Sequence, residues 1–332
     1  MQPTPKKHEE YLDELMDYIP KEAFKPAYYK LVPMSLYFLA VVAMIYLSIA
    51  IESYAWTILF AAISGFCIAC IFLFCHELTH GTIIKNKTGM YIAELVFWPL
   101  SGMPPTLWRV IHNRAHHTGA NSYADPDRRT FKSEKNFWNT VYNAFIYPNK
   151  KLRFSLTVGF AMLFYTGKHI ASALYPEGKK PAIVTYKPKF TRKEKKKIKW
   201  ELLYIMVFQS LIGIALGWKL YLIFSLVSWV VSSSILISMI ITQHLINPVF
   251  IENPDPMLTA TSVRIPSWLD RLIDYHSFHI EHHVLPGINF DYYPKMGHIM
   301  QNMYPDRYTR KPFLSAIVES YDREMFIDDP LQ

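Results

Sequence analysis

The sequence predicts an all-α integral membrane protein, with four transmembrane helices in two hairpins capped by a cytoplasmic helical domain that carries clusters of histidine. Three observations predict it. Four apolar stretches are each long enough to cross the hydrocarbon core of a bilayer, which takes about 20 residues. The 35 Lys and Arg outnumber the 27 Asp and Glu, for a net charge of +8, and sit almost wholly outside those stretches. Ten of the thirteen histidines fall in three short clusters or at the end of the fourth stretch, and the predicted topology brings them out on one face.

Residues 1–30 form a charged cytoplasmic segment in which Glu9, Glu10, Asp13 and Glu14 interrupt any apolar core, so no cleavable signal peptide is expected. The first hairpin, 31–75, is made of "LVPMSLYFLAVVAMIYLSIAI" (31–51) and "YAWTILFAAISGFCIACIFLFC" (54–75). A loop, 76–199, leads to the second hairpin, 200–243, made of "WELLYIMVFQSLIGIALGW" (200–218) and "YLIFSLVSWVVSSSILISMIIT" (221–242), and a tail, 244–332, follows. A few residues join each pair, so each hairpin returns to the side from which it started. Of the Lys and Arg, only Lys219 lies in a hairpin turn, and the positive-inside rule therefore puts the N-terminal segment, loop and tail in the cytoplasm.

With spans this long, the basic surplus points to lipid headgroups or an acidic protein and away from nucleic acid. Its densest run, "KKPAIVTYKPKFTRKEKKKIKW" (179–200), reads as a solvated topology signal against anionic lipid, with docking of an acidic redox protein as the sharper alternative. "FSLTVGFAMLFYTGKHIASALY" (154–175) is broken by Lys168 and His169, and "MYIAELVFWPLSGMPPTLW" (90–108) by Pro99, Pro104 and Pro105, so both are expected to be interfacial or half-buried helices. Were 154–175 to cross, the tail would lie opposite the first histidine cluster. Cys67, Cys70 and Cys75 lie in or at the end of the second span and are read as small packing residues, with no disulfide framework. No internal repeat or Gly/Ser linker divides the chain.

His76-Glu77-Leu78-Thr79-His80 matches the H-E-x-x-H zinc-protease pattern, yet two His at i and i+4 on a helix hold any metal that favours imidazole. The rest of the chain adds "HNRAHH" with His112, His116 and His117; His244 where the fourth span ends; and "HSFHIEHH" with His276, His279, His282 and His283. Nine imidazoles without His276 exceed the three or four ligands of a zinc site and suffice for two metals at four or five nitrogens each. Imidazole suits iron, copper and zinc alike, so the count leaves the metal open.

The three boxes H-x3-H, H-x3-H-H and H-x2-H-H, set around two helical hairpins with an extra His at the end of the fourth span, resemble the membrane fatty-acid desaturase and hydroxylase superfamily. The likeness runs from about residue 70 to about 300, and "FHIEHHVLPGINFDYYPKMGH" is especially similar to the third-box region of the desaturases, closest to the acyl-lipid type. That resemblance implies two irons, O2 as co-substrate and a lipid acyl substrate. It implies ligands at His76, His80, His112, His116, His117, His279, His282 and His283, with His244 as the extra one. No fused cytochrome b5 is present, so the electron donor is expected to be a separate ferredoxin, rubredoxin or cytochrome b5. "HELTHG" with "HNRAHH" also resembles the membrane alkane hydroxylases, which keeps hydroxylation as the alternative outcome.

A metal-bound imidazole usually donates its other N–H to a carboxylate or carbonyl, and Glu77, Asp125, Asp127, Asp274 and Glu281 are close enough in sequence to be such partners. Trp108 and Asn113 are candidates for lining the path of the acyl chain. His8 and His169 are read as ordinary residues and His298 as structural, while His276 is either structural or an outer partner of the third box. The opposing class is a membrane zinc protease with Asp255, in "ENPDP", as its third ligand; it leaves boxes two and three and His244 without a role. A metal carrier or heme-binding protein is a third class, and such carriers usually place polar ligands near the bilayer midplane, where these spans have none.

Overall fold

The computed structural model describes residues 4–127, 130–131, 150–175, 189–323 and 326–327. Part of the basic run, 179–188, therefore lies outside the described residues. Helix α1 (His8–Leu15) precedes the first hairpin, α2 (Leu31–Ile51) and α3 (Tyr54–Thr79). Then come α4 (Lys87–Phe97), α5 (Pro105–Trp108), a π-helix (Arg109–His116) and α6 (His117–Gly119). Beyond α7 (Lys150–Leu174), the second hairpin is α8 (Arg192–Leu216) and α9 (Trp218–Ile240), which continues as a second π-helix (Ile241–Leu245). The tail carries α10 (Ser267–Leu272), α11 (His279–Val284), α12 (Tyr293–Met303) and α13 (Phe313–Asp322).

Four helical segments, Tyr28–Ile51, Tyr54–Thr79, Arg192–Leu216 and Trp218–Leu245, are long and apolar enough to cross a membrane, and the chain is an all-α membrane protein. Their outer faces carry large bare apolar side chains, among them Leu36, Tyr46, Leu211, Ile214 and Leu222, a surface that suits lipid and not water. The span of α3 is central, 72% buried against 17% for α2. Close packing of α3 on α9 requires a glycine: a Cβ at Gly65 would meet the Ser228 carbonyl oxygen at 2.6 Å and Val231 Cβ at 2.7 Å. Ser228 Oγ donates to the Ala61 carbonyl 2.9 Å away and locks the same contact.

Helix α8 starts eight residues before the expected span, because Thr191 and Glu194 form a capping box that draws the end of the basic run into its first turns. Segment 87–116 folds as a helical hairpin whose tip is tied to α8 by the Gln209 amide donating to the Pro99 carbonyl at 2.8 Å. Helix α7 lies against α9, with Ser233 Oγ donating to the Val158 carbonyl at 3.1 Å, and is not among the four candidate spans.

The N-terminal segment, set apart in the sequence, is built into the core of the tail. Tyr11 and Leu15 pack with Phe278, Ile280, Val284 and Tyr293. Asp255 accepts from the Lys6 N–H at 2.8 Å, the Tyr11 hydroxyl at 3.0 Å and Arg307 Nη1 at 2.6 Å. Strand β1 (Thr130–Phe131) pairs parallel with β4 (Phe326–Ile327), and β2 (Ser262–Arg264) with β3 (Arg310–Pro312).

Candidate metal centre

Three local geometries aim the histidines. On α3, His76 and His80 are four residues apart and share a face. On α11, His279 and His283 share a face by the same rule, and His282, next to His283 and so about 100° round the helix from it, reaches the other group. Box two is different. Its backbone is a π-helix, with the His117 N–H bonded to the carbonyl of His112, so the residues that align are five apart. His112 and His117 therefore converge on one group while His116, its ring stacked 5.2 Å from that of His112, also reaches a second.

Two groups result. His76, His80, His112, His117 and His282 have ring nitrogens within 4.8 Å of one another, and so do His116, His244 and His283. His279 joins the second group, its Nε2 2.7 Å from His244 Nε2 and 3.2 Å from His283 Nε2. The groups abut, with the rings of His117 and His283 4.9 Å apart.

These contacts are not an ordinary hydrogen-bond network. His244 Nδ1 faces the Thr259 carbonyl at 3.1 Å and must carry the ring proton, which leaves its Nε2 lone pair pointing at two other Nε2 atoms. His112 Nε2 is 2.6 Å from His76 Nε2 and 3.0 Å from His117 Nε2. Two nitrogens bound at right angles to one ion, each about 2.1 Å from it, stand about 3 Å apart. Buried Nε2 atoms of His80 and His282 have no hydrogen-bond partner among the described residues. Converging lone pairs and orphaned nitrogens fit metal binding.

Protonation agrees. Burial, reinforced by neighbouring imidazoles, pushes His80 down to about 3 and holds His112, His117, His279, His282 and His283 well below the usual range, so these rings are neutral and able to ligate. His116 goes the other way. Burial lowers it, but the Asp125 carboxylate 2.9 Å from Nδ1 outweighs burial and brings it to about 9. A metal at Nε2 would displace that proton while Nδ1–H stays on Asp125.

Of the five expected carboxylate partners, two face a box imidazole, Asp125 directly and Asp127 at 3.6 Å from His116 Nδ1. The other three are turned elsewhere. Glu77 and Asp274 each accept from Lys30 Nζ at 2.7 Å, and Glu281 accepts from Ser262 and Tyr308 at 2.6 Å. All five but Asp127 are buried, so the difference lies in the neighbours each one meets: Lys30 for Glu77 and Asp274, two hydroxyls for Glu281, and His116 for Asp125. Trp108 stacks on His112, 4.6 Å between centroids, while the Asn113 amide donates to the Thr79 carbonyl at 2.9 Å and lines neither cavity described below. Asp255 is held by Lys6, Tyr11 and Arg307 and belongs to neither histidine group, which removes the third ligand of the protease reading.

Two histidines set aside as ordinary lie beside the centre. His169 is fully buried, with Nε2 3.8 Å from Asp127, and His8 Nε2 is 2.9 Å from the Val284 carbonyl at the end of α11. Neither has a spacing to betray it. His276, the undecided one, meets His76: its Nε2 is 2.9 Å from His76 Nδ1. His298 is exposed on α12. The three cysteines are free and buried.

A family model described as fatty acid desaturase matches residues 53–313, a range that includes all nine histidines of the two groups. No curated protein matches the chain significantly.

Proposed function

The chain belongs to the fatty acid desaturase family, and we propose that it uses two irons and O2 to place a double bond in a lipid acyl chain. The observation that carries this reading is the sorting of nine imidazoles into a group of five and a group of four. Two irons held there, one per group, would supply the reduction of O2 and the removal of hydrogen from an unactivated methylene, which no side chain can do. Written in full, a –CH2–CH2– unit, O2, two electrons and two protons give –CH=CH– and two water molecules. The electrons come from a separate donor, a ferredoxin, rubredoxin or cytochrome b5.

The protein's own part is to hold, exclude and orient. Asp125 holds the Nδ1 proton of His116, and the Thr259 carbonyl that of His244, so that each ring presents Nε2. A cavity of about 340 Å³ among the spans is lined largely by apolar side chains, including Val41, Ile68, Ile212, Phe224 and Trp229. That is within the range of about 300–1,000 Å³ usual for small-molecule sites and suits an acyl tail. Trp229 also borders a smaller cavity lined by Phe72 and Leu236. Phe72 meets Trp108 edge-on at 5.0 Å, and Trp108 stacks on His112, so a line of packed rings joins the smaller cavity to the histidines, the kind of apolar surround that a water-sensitive oxidation requires. By the distribution of Lys and Arg the histidine end faces the cytoplasm.

Hydroxylation of the same chain is the alternative outcome, and the likeness of boxes one and two to the alkane hydroxylases supports it. Fatty-acid profiling of host membranes by gas chromatography with mass spectrometry, beside a His282→Ala control, separates the two. An unsaturated species absent from the control is the expected result and locates the double bond. Hydroxylated chains or alcohols instead would overturn desaturation, and no new species with the donor supplied would overturn both.

A further inference from the structure

His276 stands outside both metal groups, yet its two nitrogens are fully used. Nδ1 faces the Ile273 carbonyl at 3.0 Å, and Nε2 faces His76 Nδ1 at 2.9 Å. A carbonyl only accepts, so the ring proton of neutral His276 is on Nδ1 and its Nε2 is an acceptor. His76 must then carry its own proton on Nδ1 and donate it. That leaves the lone pair of His76 on Nε2, the atom 2.6 Å from His112 Nε2 inside the five-histidine group.

The backbone that delivers His276 is unusual. Asp274 and Tyr275, at φ 55 and 56, are consecutive non-glycine residues in the left-handed region, a conformation that persists only where surrounding contacts enforce it. Those contacts are present. The Tyr275 N–H donates to the Asp270 carbonyl at 2.8 Å, Lys30 Nζ grips the Asp274 carboxylate at 2.7 Å, and the Gln243 amide donates to the His276 carbonyl at 2.6 Å. The same Lys30 ammonium reaches Glu77, the neighbour of His76 on α3, so one buried cation ties the turn to the helix it serves.

We propose that His276 is a positioning residue for the metal of the five-histidine group, fixing His76 in the tautomer that ligates through Nε2, and that the turn 273–276 exists to aim it. The proposal rests on the metal-centre reading above. Its test is iron retention against a chelator, with Mössbauer spectra, for the full-length detergent-solubilised protein and its His276→Gln, His276→Phe and His276→Ala variants. Phe fills the space without an acceptor, whereas the Gln carbonyl restores one. Expected are retention at least about tenfold weaker in the Phe and Ala variants, with loss of one of the two iron signals, and recovery in the Gln variant. Wild-type retention in the Phe variant, or no gain of Gln over Ala, would overturn the proposal. Should the variants fail to fold, nitrogen-15 spectra of the iron-free wild type read the tautomer directly: Nδ1–H at His76 supports it and Nε2–H sinks it. A wild type that binds no iron would instead defeat the metal-centre reading, whatever the tautomer.

Discussion

Lys30 is a buried cation shared by two buried carboxylates. Its ammonium and the carboxylates of Glu77 and Asp274 are nearly inaccessible to water, and Asp291 adds a third carboxylate 3.4 Å away. Removing the cation leaves a pair of buried carboxyl groups without their charge partner, so Lys30→Met should cost about 3–5 kcal/mol of stability, read as a lower thermal midpoint in detergent. Adding Glu77→Gln and Asp274→Asn to that variant should restore most of the loss; if the triple variant is worse, Lys30 matters for another reason. Asp125 acts on the metal more directly. Asp125→Ala should weaken iron in the four-histidine group about 10–100-fold while the five-histidine group keeps its iron, measured by titration of the iron-free protein. The eight box histidines are legible from their spacing, and His244 from its place at the end of the fourth span. Lys30 is not, since its partners lie 47 and 244 residues away and no local pattern connects them.

Among elements, the contact between α3 and α9 sets how far box one stands from His244. Gly65→Leu should force these helices apart, lower the thermal midpoint and reduce bound iron, whereas Gly159→Ala on α7, where an added Cβ meets nothing within 4 Å, should do neither. Equal behaviour of the two variants, by size-exclusion chromatography and iron content, would contradict that role. The spans could be read from length and hydropathy because a bilayer imposes both. Their polar ends could not: the start of α8 at Arg192 depends on a capping box at the edge of a charge run. The division of box two between two histidine groups is equally hidden, because it comes from a π-helix, which brings His117 in line with His112 where an α-helix would align only His116.

For the molecule as a whole, the histidine centre makes stability depend on protons and metal. An unfolded imidazole takes its proton near pH 6.5. In the folded, iron-free protein, burial holds His80 down to about 3 and His276 to about 4. Below pH 6.5 the unfolded chain therefore binds protons that the folded chain refuses, so this stability is fully present above about pH 6.5 and is lost as pH falls toward the folded values. The thermal midpoint of iron-free protein should drop between pH 7.5 and 5, and iron should raise it at pH 7.5; a midpoint indifferent to both would count against the centre. The N-terminal segment, fastened to the tail through Asp255, closes the same end of the molecule from which the histidines project. The most direct measurement is X-ray diffraction from crystals of the purified protein with anomalous data at the iron edge. Two iron peaks are predicted, one among His76, His80, His112, His117 and His282 and the other among His116, His244, His279 and His283. A single peak, or metal bound at Glu77 or Asp255, would contradict it.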